Sequence, residues 1–166
     1  LTENLGAAKM VSVLNAYFSA MVEILERYEG VVTQFHGDAI LATFNVPIEN
    51  TEHAKNAIMA ASEMIETVKS QQFCAQALNV RIGIDSGPVV AGAVGAAGRL
   101  SYTIYGNPVN LAARLEGMNK EFSTSMLVSE NTEKLAGPSA NLRLVGQTSI
   151  RGQAETIKIF TSSPLT

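Results

Sequence analysis

The segment VVTQFHGDAILATFNV, residues 31–46, holds two short strand-like runs on either side of Gly37-Asp38. Before the turn, Val32, Gln34 and His36 alternate with Val31, Thr33 and Phe35. After it, Ala39 to Phe44 is almost continuously apolar. Alternation followed by an apolar run, interrupted by Gly-Asp, predicts a β-hairpin with one buried arm. Gly37 supplies the positive φ of a tight reversal. Asp38 is thereby set at the tip, where a carboxylate faces solvent or a hard cation. Mg²⁺ needs few protein carboxylates when a substrate phosphate provides further oxygens. Alone, Gly-Asp has the ordinary reading of a turn aspartate bonded to its own backbone.

Around the hairpin the pattern alternates helix and strand. Residues 6–29 predict a long helix with Met10, Leu14, Tyr17, Met21, Leu25 and Tyr28 on one stripe, ended by Gly30 as a left-handed cap. The stripe is wide enough to cover a sheet and leave apolar surface for a partner. A second helix begins at Asn50 or Thr51 and buries Ala54, Ile58, Ala61, Ile65 and Val68. His53 reads as a solvated residue of its first turn. Residues 70–76 read as a polar linker, with Cys74 as a partly buried small hydrophobe. Strands are expected at Leu78–Ile84, Val89–Val94 and Leu100–Tyr105, in tandem and antiparallel, with a turn at Asp85-Ser86-Gly87-Pro88. Gly106-Asn107-Pro108 starts a third helix, with Asn107 as cap, running to about Asn119. A strand at Met126–Ser129, a short helix at Glu130–Leu135, and closing strands at 141–150 and 156–161 around Gly152 complete one domain, residues 1–166.

The 166 residues are 46% hydrophobic and 16% charged, enough for one real core. A net charge of −3 argues against a nucleic-acid backbone as partner. An RNA-binding ferredoxin-like module fails on that charge and on the lack of an aromatic-rich strand. The single cysteine, Cys74, excludes an intrachain disulfide or a cysteine metal cage and suits a reducing, cytoplasmic setting. No apolar run is expected to match the ~20 residues of a membrane helix. The sequence opens Leu-Thr-Glu without Met and is expected to be a fragment of a longer protein, any membrane link lying upstream.

Three features ask for a joint chemical explanation. Asp38 sits at a hairpin tip. Asn110 and Arg114 are four apart, on one face of a helix whose other face is apolar. Arg99 and Arg151 stand in loops beside strands. Singly they read as a turn residue, a solvated face and loop cations. Together they offer a metal carboxylate, a neutral hydrogen-bonding group and charge stabilisers, the parts phosphoryl transfer needs.

The motifs FHGDAILATF (35–44), RIGIDSGPVVAGAVG (81–95) and LSYTIYGNPVNLAARLEG (100–117), in that order, resemble the catalytic domain of class III nucleotidyl cyclases over nearly the whole chain. The most specific part is YTIYGNPVNLAAR, residues 102–114. The resemblance implies an α+β fold of ferredoxin-like, palm-type character, an antiparallel sheet with helices packed on it, whose first strand would lie ahead of Leu1. It implies conversion of ATP or GTP to a 3′,5′-cyclic monophosphate and pyrophosphate, with two divalent cations, Mg²⁺ or Mn²⁺, and a homodimer with composite sites. It implies that Asp38 is the second metal aspartate, Asn110 orients the ribose, Arg114 meets charge at the α-phosphate, and Arg151 holds the terminal phosphates, with Arg99 near a further phosphate contact. Gln34 and Thr103 fall on the base-reading positions.

Two departures stand out. The family's first metal aspartate would precede Leu1. Adenylate cyclases usually carry Lys, and guanylate cyclases Glu, where this chain has Gln34. Thr103 fits adenine. A Gln amide both donates and accepts, so a permissive purine pocket leaning to ATP is expected. The contrasting expectation is a degenerate cyclase-like module that binds nucleotide or dimerises to regulate a fused domain.

Overall fold

A computed structural model describes residues 6–96, 99–149 and 156–162, with the side chains of 99–101 left out. The elements run α1 (Ala7–Arg27), β1 (Val31–His36), β2 (Ala39–Thr43), α2 (His53–Ser70), β3 (Ile82–Ile84), β4 (Val90–Ala96), β5 (Arg99–Tyr105), α3 (Asn107–Phe122), β6 (Met126–Ser129), α4 (Glu130–Ala136), a 3-10 turn at Pro138–Ala140, β7 (Leu142–Ser149) and β8 (Thr156–Ser162).

The central sheet has the order β3-β6-β8-β7. All its pairings are antiparallel except β3 with β6, which is parallel. The expected tandem of three antiparallel strands is therefore corrected. Only β4 and β5 form that hairpin, while β3 belongs to the central sheet. β3 also begins at Ile82 rather than Leu78, because its pairing starts where Met126 lies opposite. The β1–β2 hairpin turns at Gly37-Asp38 with Gly37 at φ +61, as the sequence predicts. Neither of its arms is fully buried, contrary to expectation, since the hairpin covers the core from one side only.

Strand β6 is buried on both faces and divides the interior. Met126 and Val128 meet Ala54, Ile58, Ala61 and Ile65 of α2. Leu127 points the other way, joining Leu115 of α3 and Ile159 of β8. The period of two along β6 thus assigns α2 and α3 to opposite faces of the sheet. A third apolar cluster packs Val13, Met21, Ile24 and Leu25 of α1 against Ala60, Met64 and Val68 of α2. By length and composition, α1 is apolar enough to cross a membrane, with 21 residues and a mean hydropathy of 1.3. This corrects the expectation that no run reaches that length. Here its inner stripe forms core.

Local chemistry explains the smaller departures. The left-handed residue after α1 is Glu29, φ +63, and Gly30 is required for another reason. A Cβ at Gly30 would lie 2.8 Å from the Phe44 ring. Asn50 accepts the N–H of Glu52 at 2.9 Å, one residue before α2 begins. His53 is half-buried rather than solvated. Residues 70–76 are no plain linker. Phe73 is 3% exposed and meets Tyr17 edge-on at 5.7 Å. Phe73 and Gln76 exchange both backbone hydrogen bonds around Cys74 and Ala75, which have φ +49 and +62. That tip pushes Cys74 out, so it is exposed and not partly buried.

Strand β3 and helix α3 approach closely at Gly83. A Cβ on Gly83 would stand 2.0 Å from the Ala112 carbonyl oxygen and 2.4 Å from the Glu116 nitrogen. Asn119, 1% exposed, reinforces the seam. Its Nδ2 donates to the carbonyls of Ile82, Leu115 and Glu116, at 3.0, 3.1 and 3.1 Å. Gly83→Ala is expected to cost about 3 kcal/mol or more, the upper range for overpacking, because backbone rather than a flexible side chain must move. Gly117→Ala, on the same helix with open space at its Cβ, should instead stabilise by about 0.5–1 kcal/mol. Urea unfolding of both variants checks the pair, and equal losses would contradict the seam.

Candidate active site

Helix α3 presents two of the candidate residues. Asn110 in its first turn and Arg114 one turn later are both exposed, while Leu115 and Asn119 face inward. The Arg114 guanidinium donates through Nη1 to the carbonyl of Ser149, at the end of β7. Among the described residues this is the one hydrogen bond Arg114 makes, and a five-donor fork held so suits an anionic ligand. An open groove of about 510 Å³ runs beside it, lined by Gly117, Met118, Phe122 and Gln147 among others. A larger hollow of about 640 Å³ lies elsewhere, between the end of α1 and the start of α2. Glu29, Glu49 and Glu52 line it against the one cation Lys55, which makes it hostile to a triphosphate.

The two base-position residues meet. Gln34 of β1 donates through Nε2 to Oγ1 of Thr103 in β5 at 2.5 Å, across 69 residues of sequence. Thr103 is 5% exposed and Gln34 is half-buried, so the pair lies in a partly desolvated place where its hydrogen bonds count for more. Thr103 stands opposite Gly92 of β4, which offers no side chain on that register position.

Asp38 is exposed at the hairpin tip. Among the described residues, no hydrogen bond or ion pair links it to Asn110 or Arg114, so the structure does not gather all candidates into one cluster. No group of three or more metal-ligating side chains occurs among the described residues. A lone exposed carboxylate nevertheless suits Mg²⁺ or Mn²⁺, hard cations that keep waters and take phosphate oxygens. The backbone of Arg99 opens β5 opposite Ala96, but its side chain, like all of Arg151, lies outside the described residues.

Sequence patterning missed two participants. Ser149 contributes only a backbone carbonyl, which leaves no mark in a sequence. Tyr17 read as one more apolar position of α1, although a hydroxyl on a buried stripe signals a polar neighbour. Its pKa is pushed from 10.0 up to about 12, first by burial and then by the negative charge of Asp38. Tyr17 is therefore neutral at physiological pH.

The chain matches the family model described as "Adenylate and Guanylate cyclase catalytic domain" over residues 1–162. It is 34% identical to adenylate cyclase 1 of Rhizobium meliloti over 165 residues, covering 96% of this chain and 25% of that protein. The chain thus spans about a quarter of the length of the curated relatives it matches. The adenylyl cyclase CyaB from P. aeruginosa superposes with a TM-score of 0.82 at 30% identity, covering 96% of this chain and 84% of that one. The guanylyl cyclase Cya2 superposes with a TM-score of 0.83 at 28% identity, covering 96% and 82%. The α+β cyclase fold anticipated from the motifs is therefore the fold observed.

A folded-state pKa above the usual tyrosine value means that Tyr17 stabilises the fold fully below pH 10 and ceases to do so as pH rises through about 12. Urea unfolding between about pH 9 and 12, across the tyrosine range, should show a steeper loss in the unaltered chain than in Tyr17→Phe. Parallel curves would contradict burial of the hydroxyl beside Asp38.

Proposed function

The chain belongs to the adenylate and guanylate cyclase catalytic domain family, and we propose that it cyclises a purine nucleoside triphosphate, ATP in preference to GTP, releasing pyrophosphate. The observation that carries this reading is the Gln34–Thr103 hydrogen bond. With Nε2 given to Thr103, Gln34 keeps Oε1 as an acceptor and Thr103 keeps its O–H as a donor. That order suits the amino group and N1 of adenine. Guanine presents the inverse order, which a flip of the Gln amide restores at modest cost. The preference for ATP is therefore weak, as two-way hydrogen-bonding groups dictate.

Arg114 and Asn110 supply the remaining roles. Attack of the ribose 3′-hydroxyl on the α-phosphate builds negative charge on that phosphorus group. The guanidinium of Arg114, held at one end by the Ser149 carbonyl, opposes that charge without having to be ordered at the moment of reaction. Asn110, one turn earlier on the same exposed face, orients the ribose. Arg151 and Arg99 complete the proposal as phosphate contacts. Divalent cations bound at Asp38 would supply charge neutralisation at the triphosphate.

A homodimer is part of the proposal. Among the described residues no hydrogen bond or ion pair joins Asp38 to Asn110 or Arg114, and a second copy that brings its hairpin tip to the Arg114 face would complete the site. The β4–β5 hairpin exposes Val90 at 73%, Val94 at 48% and Tyr105 at 54%, an apolar surface suited to such a partner.

Arg114→Ala should lower kcat by ~10²-fold or more with a much smaller change in KM, because the contact strengthens in the transition state. A change confined to KM would make Arg114 a binding residue only. Asp38→Ala and Asn110→Ala proteins, each inactive alone, should recover activity when mixed. Mixed dimers that form without recovery would overturn the shared site.

A further inference from the structure

The loop that leaves β3 is tied to α4 by side chains that play no part in the reaction. Ser129, the last residue of β6 and the N-cap of α4, donates its hydroxyl to Oδ1 of Asp85 at 2.5 Å. Its oxygen also accepts the N–H of Thr132 at 3.3 Å. Thr132 donates through Oγ1 to the hydroxyl of Ser86 at 2.9 Å, and Asn131 donates through Nδ2 to the Ser86 carbonyl at 2.7 Å. Ser129 is 1% exposed and Thr132 0%, so the bonds they make are largely shielded from water, where an unmade one is costly, while the Asn131 bond lies at the surface. Burial raises the Asp85 carboxyl above its usual value, while the Ser129 hydroxyl and the Ser86 backbone N–H pull it back.

The same loop then meets the start of α3. A Cβ on Gly87 would lie 2.8 Å from Cγ of Pro108, and one on Gly106 would lie 3.0 Å from the Pro88 carbonyl oxygen. Pro108 is in the first turn of α3, two residues before Asn110. Beyond the loop, β4 pairs with β5 and so bears on Thr103 through its partner Gly92. A short rigid path thus runs from α4 through Asp85 and Ser86 to Pro108 and Asn110.

We infer that Asp85 is a positioning residue, whose hydrogen bond from Ser129 fixes the 85–88 loop against Pro108 and so sets Asn110 for the ribose. The inference rests on the cyclase reading above for its effect on turnover, but not for its effect on the α3 terminus. What Asp85 supplies is an acceptor oxygen, not a charge. Asp85→Asn keeps Oδ1 in place to accept from Ser129, whereas Asp85→Ala leaves the Ser129 hydroxyl only the longer contact to Oγ1 of Thr132, at 3.2 Å, and unties the 85–88 loop from it. A displacement of the Asn110 terminus by a fraction of an ångström is enough to lower turnover, because alignment of the reacting groups carries much of the rate.

The test compares the unaltered full-length protein with Asp85→Ala and Asp85→Asn, well below the unfolding temperature of all three. Two quantities are read, kcat and KM for ATP with Mn²⁺, and amide hydrogen exchange over residues 106–111. Asp85→Ala should lower kcat about tenfold or more with little change in KM, and speed exchange over 106–111 by about fivefold or more. Asp85→Asn should stay within about threefold of the unaltered protein in both. Equal behaviour of the two variants, or unchanged exchange in Asp85→Ala, would overturn the inference. If the unaltered protein makes no cyclic nucleotide, the cyclase reading falls, and the exchange over 106–111 alone decides the positioning claim.

Discussion

Strand β3 and helix α3 touch backbone to backbone at Gly83, where only a hydrogen atom fits between the strand and the Ala112 carbonyl. Much follows from that contact. It fixes the height of α3 above the sheet, and Asn119 locks the far end of the helix onto Ile82. With its inner face held at Leu115 and Asn119, the helix must turn Asn110 and Arg114 outward. β7 and β8, on the other side of β6, then bring the Ser149 carbonyl under the Arg114 guanidinium. A side chain at residue 83 would lift the helix, and Asn110 and Arg114 would move with it.

The pieces written in local chemistry were legible in the sequence. Gly37-Asp38 is a turn because glycine takes a positive φ without strain, and Pro108 starts α3 because its missing N–H has no partner to lose. The apolar face of α2, from Ala54 to Val68, follows from its period. What escaped depends on distant partners. The parallel pairing of β3 with β6 joins segments more than 40 residues apart, so the strand before Asp85 read as a neighbour of β4. Phe73 looked like linker because its burial is decided by Tyr17, far upstream. Gly30 looked like a cap because the Phe44 ring that covers it cannot be read from its flanks.

The site divides the same way. Asn110 and Arg114 were placed on one face by spacing alone. Gln34 and Thr103 became a pair only through the family resemblance, and the fold then set them in contact. Tyr17 and Asp85 escaped because each was classed by its immediate neighbours, one by an apolar stripe and the other by a turn motif. Both owe their environment to long-range packing, Tyr17 first to burial and then to the charge of Asp38, and Asp85 to the cap of α4. Function here rests on side chains whose partners are remote in sequence, and such partners are what a single sequence shows least.

The proposal is that the Gln34–Thr103 pair, the α3 face and the hairpin tip serve one reaction. It is tested most directly by incubating the full-length protein with ATP and separately with GTP in the presence of Mn²⁺, and identifying the products. The expected products are 3′,5′-cyclic AMP and pyrophosphate in equal amounts, with a slower but measurable yield of cyclic GMP. A folded, dimeric protein that binds both nucleotides and converts neither would contradict it, and Gln34 would then mark a domain that has kept the cyclase fold without the chemistry.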